Sequence, residues 1–193
     1  MKYDPDIHHR RSIRLKDNDY SLEGAYFITI CTRKRELYFD RYPLLKEIVF
    51  LQWQKIPERY TDLELDEFVV MPNHIHGIII VGATLAVAPN AVAPNDRAGA
   101  RPAPTVGEIV GAFKSLCVND WLKHIKENGL NAVGKFWQRN YYEHIIRNED
   151  ELNRIREYIW NNQLTWQLDG ENPQETGCDG LENEIFRCVA LKN

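Results

Sequence analysis

At 193 residues, 44% of them hydrophobic, the chain is long enough to bury one well-packed domain with tails. Its 24 basic and 28 acidic residues give a formal charge of −4, which argues against a generic polycationic nucleic-acid coat. Six of the acidic residues lie from Asp169 to Glu184 with no base among them, so positions 1–168 carry 22 residues of each sign. Local patches in a neutral body therefore decide what is bound.

The first patch is a basic arm, 1–24, containing His8-His9-Arg10-Arg11-Ser12-Ile13-Arg14. Such a cluster suits a phosphate backbone or plain solvation. The first 20 residues are charged throughout and carry no secretory pattern, and apolar runs such as Ile78-Ile79-Ile80-Val81 are too short to span a bilayer. The four cysteines form no C-x-x-C pair, which fits reduced thiols. A cytoplasmic protein without membrane contact is expected.

Tyr26-Phe27-Ile28-Thr29-Ile30-Cys31-Thr32 is β-branched and aromatic and reads as a strand, followed by the basic triplet Arg33-Lys34-Arg35. Pro43 suits a helix first turn, and Leu44, Leu45, Ile48, Val49, Leu51 and Trp53 continue at helical spacing. Strands follow over 63–71 and 75–81, with Pro72 and Asn73 as the turn. Residues 83–104, with the tandem Ala86-Val87-Ala88-Pro89-Asn90 and Ala91-Val92-Ala93-Pro94-Asn95, read as a flexible insertion. Thr105-x-x-Glu108 is a capping box opening a long helix that ends near Gly129. A fourth strand is expected over 136–146, and Asn148-x-x-Glu151 caps a last helix with Leu152, Ile155 and Ile159 buried. The domain thus spans 25–168, and 169–193 reads as an acidic mobile tail. The order predicts an α+β fold: a ferredoxin-like βαββαβ antiparallel sheet with helices on one face, plus a C-terminal helix. That architecture alone assigns no function.

Side chains two apart on a strand share a face, so His74 and His76 project together with Ile75 turned away. Paired neutral imidazoles are half of a divalent-metal site. On the last helix, Tyr158 and Asn162 are one turn apart and share a face. An Asn carbonyl oxygen is a hard neutral ligand suited to Mg2+ or Mn2+, and a tyrosine hydroxyl beside such an ion could attack a phosphorus. Tyr141 and Tyr142 are rival nucleophiles, but on a strand they read as packing or base-stacking residues.

Phe68-Val69-Val70-Met71-Pro72-Asn73-His74-Ile75-His76-Gly77 resembles the HUH motif (His, hydrophobic, His) of single-tyrosine transposases. The run from Phe136-Trp137-Gln138-Arg139-Asn140-Tyr141-Tyr142 through Tyr158-Ile159-Trp160-Asn161-Asn162 is similar to the REP-associated tyrosine transposases. The resemblance covers 20–166 and holds in motif order. It implies His74 and His76 as metal ligands, Tyr158 as the nucleophile, and Asn162 as the third ligand. Where that branch carries Pro after the Asn, this chain has Gln163, which leaves Gln163 as an alternative ligand. The implied reaction is cleavage and rejoining of single-stranded DNA through a 5′-phosphotyrosine, at palindromic repeats that fold into hairpins, with Mg2+ or Mn2+ as cofactor. Arg10, Arg11, Arg14, Arg33, Lys34, Arg35 and Arg139 would grip the DNA, and the enzyme would be nucleoid-associated, as a monomer or homodimer. The competing expectation is a non-catalytic single-stranded nucleic-acid-binding module that uses sheet aromatics as a stacking platform.

Overall fold

β-Branched and aromatic residues form the central strand β1 (Gly24–Cys31) of the computed structural model, which describes residues 23–60, 62–82 and 104–174. Arg10, Arg11 and Arg14 of the basic arm, the insertion as far as 103, and the acidic stretch from 175 lie outside the described residues. Strands β2 (Leu63–Val70) and β3 (His74–Val81) make a hairpin closed by Met71, Pro72 and Asn73, and β4 (Tyr142–Ile146) completes the sheet. Every pairing is antiparallel, in the order β2-β3-β1-β4. This is the expected α+β arrangement, in which each βαβ unit is split by a strand of the other.

Among the described residues, four α-helices flank the sheet: α1 (Tyr38–Arg41), α2 (Pro43–Gln54), α3 (Val106–Asn128) and α4 (Glu149–Asn161). The capping box forms as expected, with the Thr105 hydroxyl accepting from the Glu108 amide and the Glu108 carboxylate from the Thr105 amide. Gly129, at φ +60, ends α3 in the left-handed conformation a C-terminal glycine favours. The short α1 has no counterpart among the predicted elements.

Alternation sorts the strand residues onto two faces. Tyr26, Ile28, Ile30, Ile75, Ile79 and Val81 pack beneath Leu45, Val49 and Trp53 of α2 and Ile109, Phe113 and Cys117 of α3. Gly77 is on this face because a Cβ there would lie 2.4 Å from the Trp53 ring, which stacks on Phe68 at 4.4 Å. A register shift between Leu65 and Phe68 lets β2 present both residues to the same core. Phe27, Val69, Ile78 and Ile146 point the other way, against Leu152, Ile155, Tyr158 and Ile159 of α4. Helices α2 and α3 thus share one face, and α4 covers the opposite one. Each fully buried large apolar side chain contributes about 1.5–3 kcal/mol to holding these layers.

Two expectations differ from the structure. The strand expected over 136–146 is regular only from Tyr142. Phe136 and Trp137 are drawn into the core between α1 and α3. Lys114 of α3 donates to the carbonyls of Gln138 and Arg139, taking them out of the ladder. The stretch read as a tail from 169 begins inside the fold, since Asp169 and Asn172 are buried behind a 3-10 turn at Trp166–Leu168. No helix among the described residues is long and apolar enough to cross a membrane.

Candidate active site

Strand register brings the candidate residues together. Thr29 of β1 lies opposite His76, and Cys31 opposite His74. Both imidazoles leave β3 on the face that α4 covers, and both are fully buried, at 0% and 1% exposure. Thr29 Oγ1 is 2.8 Å from His76 Nδ1. The Asn73 amide nitrogen donates to the carbonyls of Arg35 and Glu171, at 3.1 and 2.7 Å, which fixes the orientation of its amide. Asn73 Oδ1 therefore faces His74 Nδ1 at 2.8 Å and accepts its proton. His74 Nε2 is left as a bare lone pair.

That lone pair lies 2.9 Å from His76 Nε2 and 3.5 Å from Asp169 Oδ2, and the Tyr158 hydroxyl lies 3.1 Å from His76 Nε2. Burial pushes the pKa of His76 down to about 3. It also pushes His74 well below the ordinary range, with the neighbouring His76 and Arg35 adding to the shift. Both rings are therefore neutral near pH 7. Two tautomers of His76 keep the Thr29 contact, but only the first makes the His74–His76 contact a hydrogen bond. In one, Nε2–H donates to His74. In the other, Nδ1–H donates to Thr29, and both Nε2 lone pairs face one another beside the Asp169 carboxylate. A bound divalent ion would select the second, with Thr29 and Asn73 holding the rings as outer partners of imidazole ligands usually do.

The residues fit a divalent cation. Adjacent ligands of an octahedral ion with bonds of about 2.1 Å are about 3.0 Å apart, close to the separation of the two imidazole nitrogens. Ligand atoms of His74, His76 and Asp169 all lie within 4.8 Å of one another, and all three residues are buried. Asn162, at the C-cap of α4 one turn after Tyr158, is 1% exposed, and its Oδ1 has no hydrogen-bond partner among the described residues. A buried orphan acceptor costs about 1–3 kcal/mol, a cost that coordination would remove. Gln163 beside it is exposed.

Tyr158 is 2% exposed, its ring 5.1 Å from that of His76 and edge-on to Phe27. Tyr142 packs against the same layer, and burial, helped by the Glu151 charge, raises its pKa to about 12. Tyr141 donates to the Glu143 carboxylate at 2.7 Å.

Asp169 escapes sequence reasoning because it heads the acidic run. Asp169-Gly170 and Asn172-Pro173 are turn dipeptides, the only local hint of order there. The turn is built from its own polar atoms: Asp169 Oδ1 accepts from the Glu171 amide at 2.7 Å, and Asn172 Nδ2 donates to the Trp166 carbonyl at 2.9 Å. Trp166 lies over His74, with ring centroids 6.1 Å apart.

All three residues of the basic triplet are exposed, and Arg35 also forms a 2.8 Å ion pair with Glu171. Lys34 and Arg35 take left-handed backbone conformations, φ 58 and 55, which curl the turn toward Asn73. Each costs of order 1 kcal/mol for a non-glycine residue. Cys31 donates to the same Glu171 carboxylate at 3.2 Å, and burial, reinforced by that charge, keeps it a thiol. Arg139 is exposed on the loop before β4.

No family model matches the chain. A Haemophilus influenzae protein, described as uncharacterized, is 41% identical over 181 residues, covering 87% of this chain and 96% of its own length. Among solved structures, a REP-associated tyrosine transposase bound to a REP hairpin is similar with a TM-score of 0.46 and 19% identity. The match covers 78% of this chain and 73% of that one. A Deinococcus radiodurans R1 protein, provisionally described as a transposase, matches with a TM-score of 0.40 and 21% identity, over 77% of this chain and 97% of its own.

Proposed function

Since the chain belongs to one family with the Haemophilus influenzae protein, we propose that both cleave and rejoin single-stranded DNA with a tyrosine nucleophile beside a divalent metal. The observation that carries this reading is the contact between Tyr158 and His76, 3.1 Å from hydroxyl to imidazole nitrogen, at a buried His-x-His pair. Packing alone would not require a tyrosine hydroxyl and two imidazole nitrogens in mutual contact in a fully buried layer, nor a buried Asn162 amide oxygen without a hydrogen-bond partner among the described residues. The HUH-like motif and the order of the later motifs along the chain support the same assignment.

His74, His76 and Asn162 would hold Mg2+ or Mn2+, and Gln163, being exposed, is set aside. The bound ion would supply Lewis-acid polarisation of the scissile phosphate. The Tyr158 oxygen forms the new bond to phosphorus as its proton leaves, and the P–O3′ bond breaks, giving a 5′-phosphotyrosine and a 3′-hydroxyl that takes up a proton. Attack by a DNA hydroxyl reverses the step. The ester energy is conserved in the covalent intermediate, so no nucleotide is consumed. Thr29 and Asn73 hold the imidazole tautomers throughout, and Phe27 fixes the tyrosine ring. The hydroxyl is reached only when the residues packed over it move, because Tyr158 is 2% exposed. Arg33, Lys34 and Arg139 are exposed and would meet phosphates, and Arg35 would first have to leave Glu171.

The non-catalytic reading needs exposed sheet aromatics. Tyr26 lies in the core formed with α2 and α3, and Phe27 in that formed with α4, so the platform is covered on both sides. The test is a denaturing gel of the protein incubated with end-labelled single-stranded hairpin DNA, with Mn2+, Mg2+ or a chelator. We expect a covalent adduct that requires the metal. Retarded DNA on native gels with no adduct under any metal would favour the binding module.

A further inference from the structure

We propose that Asp169 is a ligand to the same divalent ion as His74 and His76, so that the segment 166–172 is tied to the sheet through the metal. The inference rests on the reading of the two histidines as ligands. It adds a carboxylate that neither the HUH-like motif nor the Tyr158–Asn162 pair contains.

Placement is the first argument. Asp169 is 2% exposed, and its Oδ2 faces His74 Nε2 at 3.5 Å, within the cluster of ligand atoms spanning at most 4.8 Å. The carboxylate is aimed rather than incidental. Its Oδ1 is held by the Glu171 amide at 2.7 Å, and this turns Oδ2 toward the imidazoles.

The second argument is the anchoring of the segment. Asn73, which sets the His74 tautomer, also donates to the Glu171 carbonyl, and Arg35 clamps the Glu171 carboxylate. The chain that brings in Asp169 is thus fastened to the residue that prepares His74 as a ligand. Chemistry is the third argument. Two neutral imidazoles and a neutral amide leave an ion's double charge uncompensated in a dry site, and one carboxylate halves it. A hard anionic oxygen added to two imidazoles also suits Mn2+.

The experiment titrates the full-length protein with Mn2+, following free ion by electron paramagnetic resonance, together with amide hydrogen exchange over 166–172. Asp169→Asn retains an oxygen for the Glu171 amide and so preserves the turn. Glu171→Gln disturbs the same segment without touching Asp169. We expect Asp169→Asn to weaken Mn2+ binding about 10–100-fold, as losses around metal ligands do. Glu171→Gln should change it far less. Mn2+ should protect the amides of 166–172 in the wild type and not in Asp169→Asn. If Asp169→Asn binds Mn2+ like the wild type while His76→Ala does not bind, Asp169 is no ligand and the histidine site stands. If Mn2+ lowers protection over 166–172, the ion displaces the segment and the inference is overturned. If the wild type itself binds no Mn2+, both readings fall together.

Discussion

On the proposed mechanism, a single oxygen of Tyr158 separates packing from chemistry. Its ring is held between Phe27 and His76, so Tyr158→Phe keeps the fold. Loss of one ordinary hydrogen bond to His76 costs about 0.5–1.5 kcal/mol, readable as a small drop in Tm. The covalent adduct should disappear altogether, because phenylalanine has no atom that can attack phosphorus. Tyr141→Phe and Tyr142→Phe should both retain it. Tyr141 is committed to Glu143, and the hydroxyl that lies 3.1 Å from His76 is that of Tyr158. An adduct persisting in Tyr158→Phe would move the nucleophile elsewhere.

At the scale of elements, the site depends on how α4 is seated. Apolar contacts of Leu152, Ile155 and Ile159 with the sheet supply most of the adhesion, and an ion pair sets the position along the strand. Arg156 Nε lies 3.0 and 3.1 Å from the two Asp66 carboxylate oxygens, in the bulged part of β2. The hydrogen bond from Arg156 holds the Asp66 carboxyl below its usual range, outweighing burial, which acts the other way. A depressed carboxylate pKa gives stability that is present above the unfolded value, about 3.9, and is lost as pH falls through the folded one. Asp66→Asn should therefore unfold more easily than the wild type at pH 7, by about 1–2 kcal/mol for a partly exposed pair. The gap should close as the pH is lowered below 4 in parallel thermal melts. A gap that stays constant with pH would mean the pair contributes through shape alone.

Across the whole molecule, the proposed DNA contact would fall on the edges, where the exposed bases lie. The body is neutral, and the exposed bases Arg33 and Lys34 lie in the turn that ends at Arg35, the partner of Glu171. If Arg10, Arg11 and Arg14 contact phosphates, replacing all three by alanine should weaken hairpin binding. It should also flatten the dependence of log affinity on log salt by up to about three units, less on single strands. Binding isotherms at several salt concentrations measure both, and an unchanged slope would leave the arm a solvated segment.

Much of this protein was legible from local pattern. Alternation placed His74 and His76 on one face with Ile75 on the other, because strand periodicity is a backbone property that needs no partner. Helical spacing put Tyr158 and Asn162 together for the same reason, and the Thr105–Glu108 and Asn148–Glu151 caps marked where their helices start. Only the tertiary structure decided which faces meet. It placed α4 on the side of the sheet opposite α2 and α3, drew Phe136 and Trp137 out of the expected strand, paired Arg35 with Glu171, and set Asp169 against His74. Those outcomes depend on contacts between residues far apart in the chain, where the order of the residues specifies the side chains but not their neighbours. An acidic residue at the head of an acidic run looks like solvent-facing tail until the fold closes a turn over it, and here that turn carries Asp169 to the histidines.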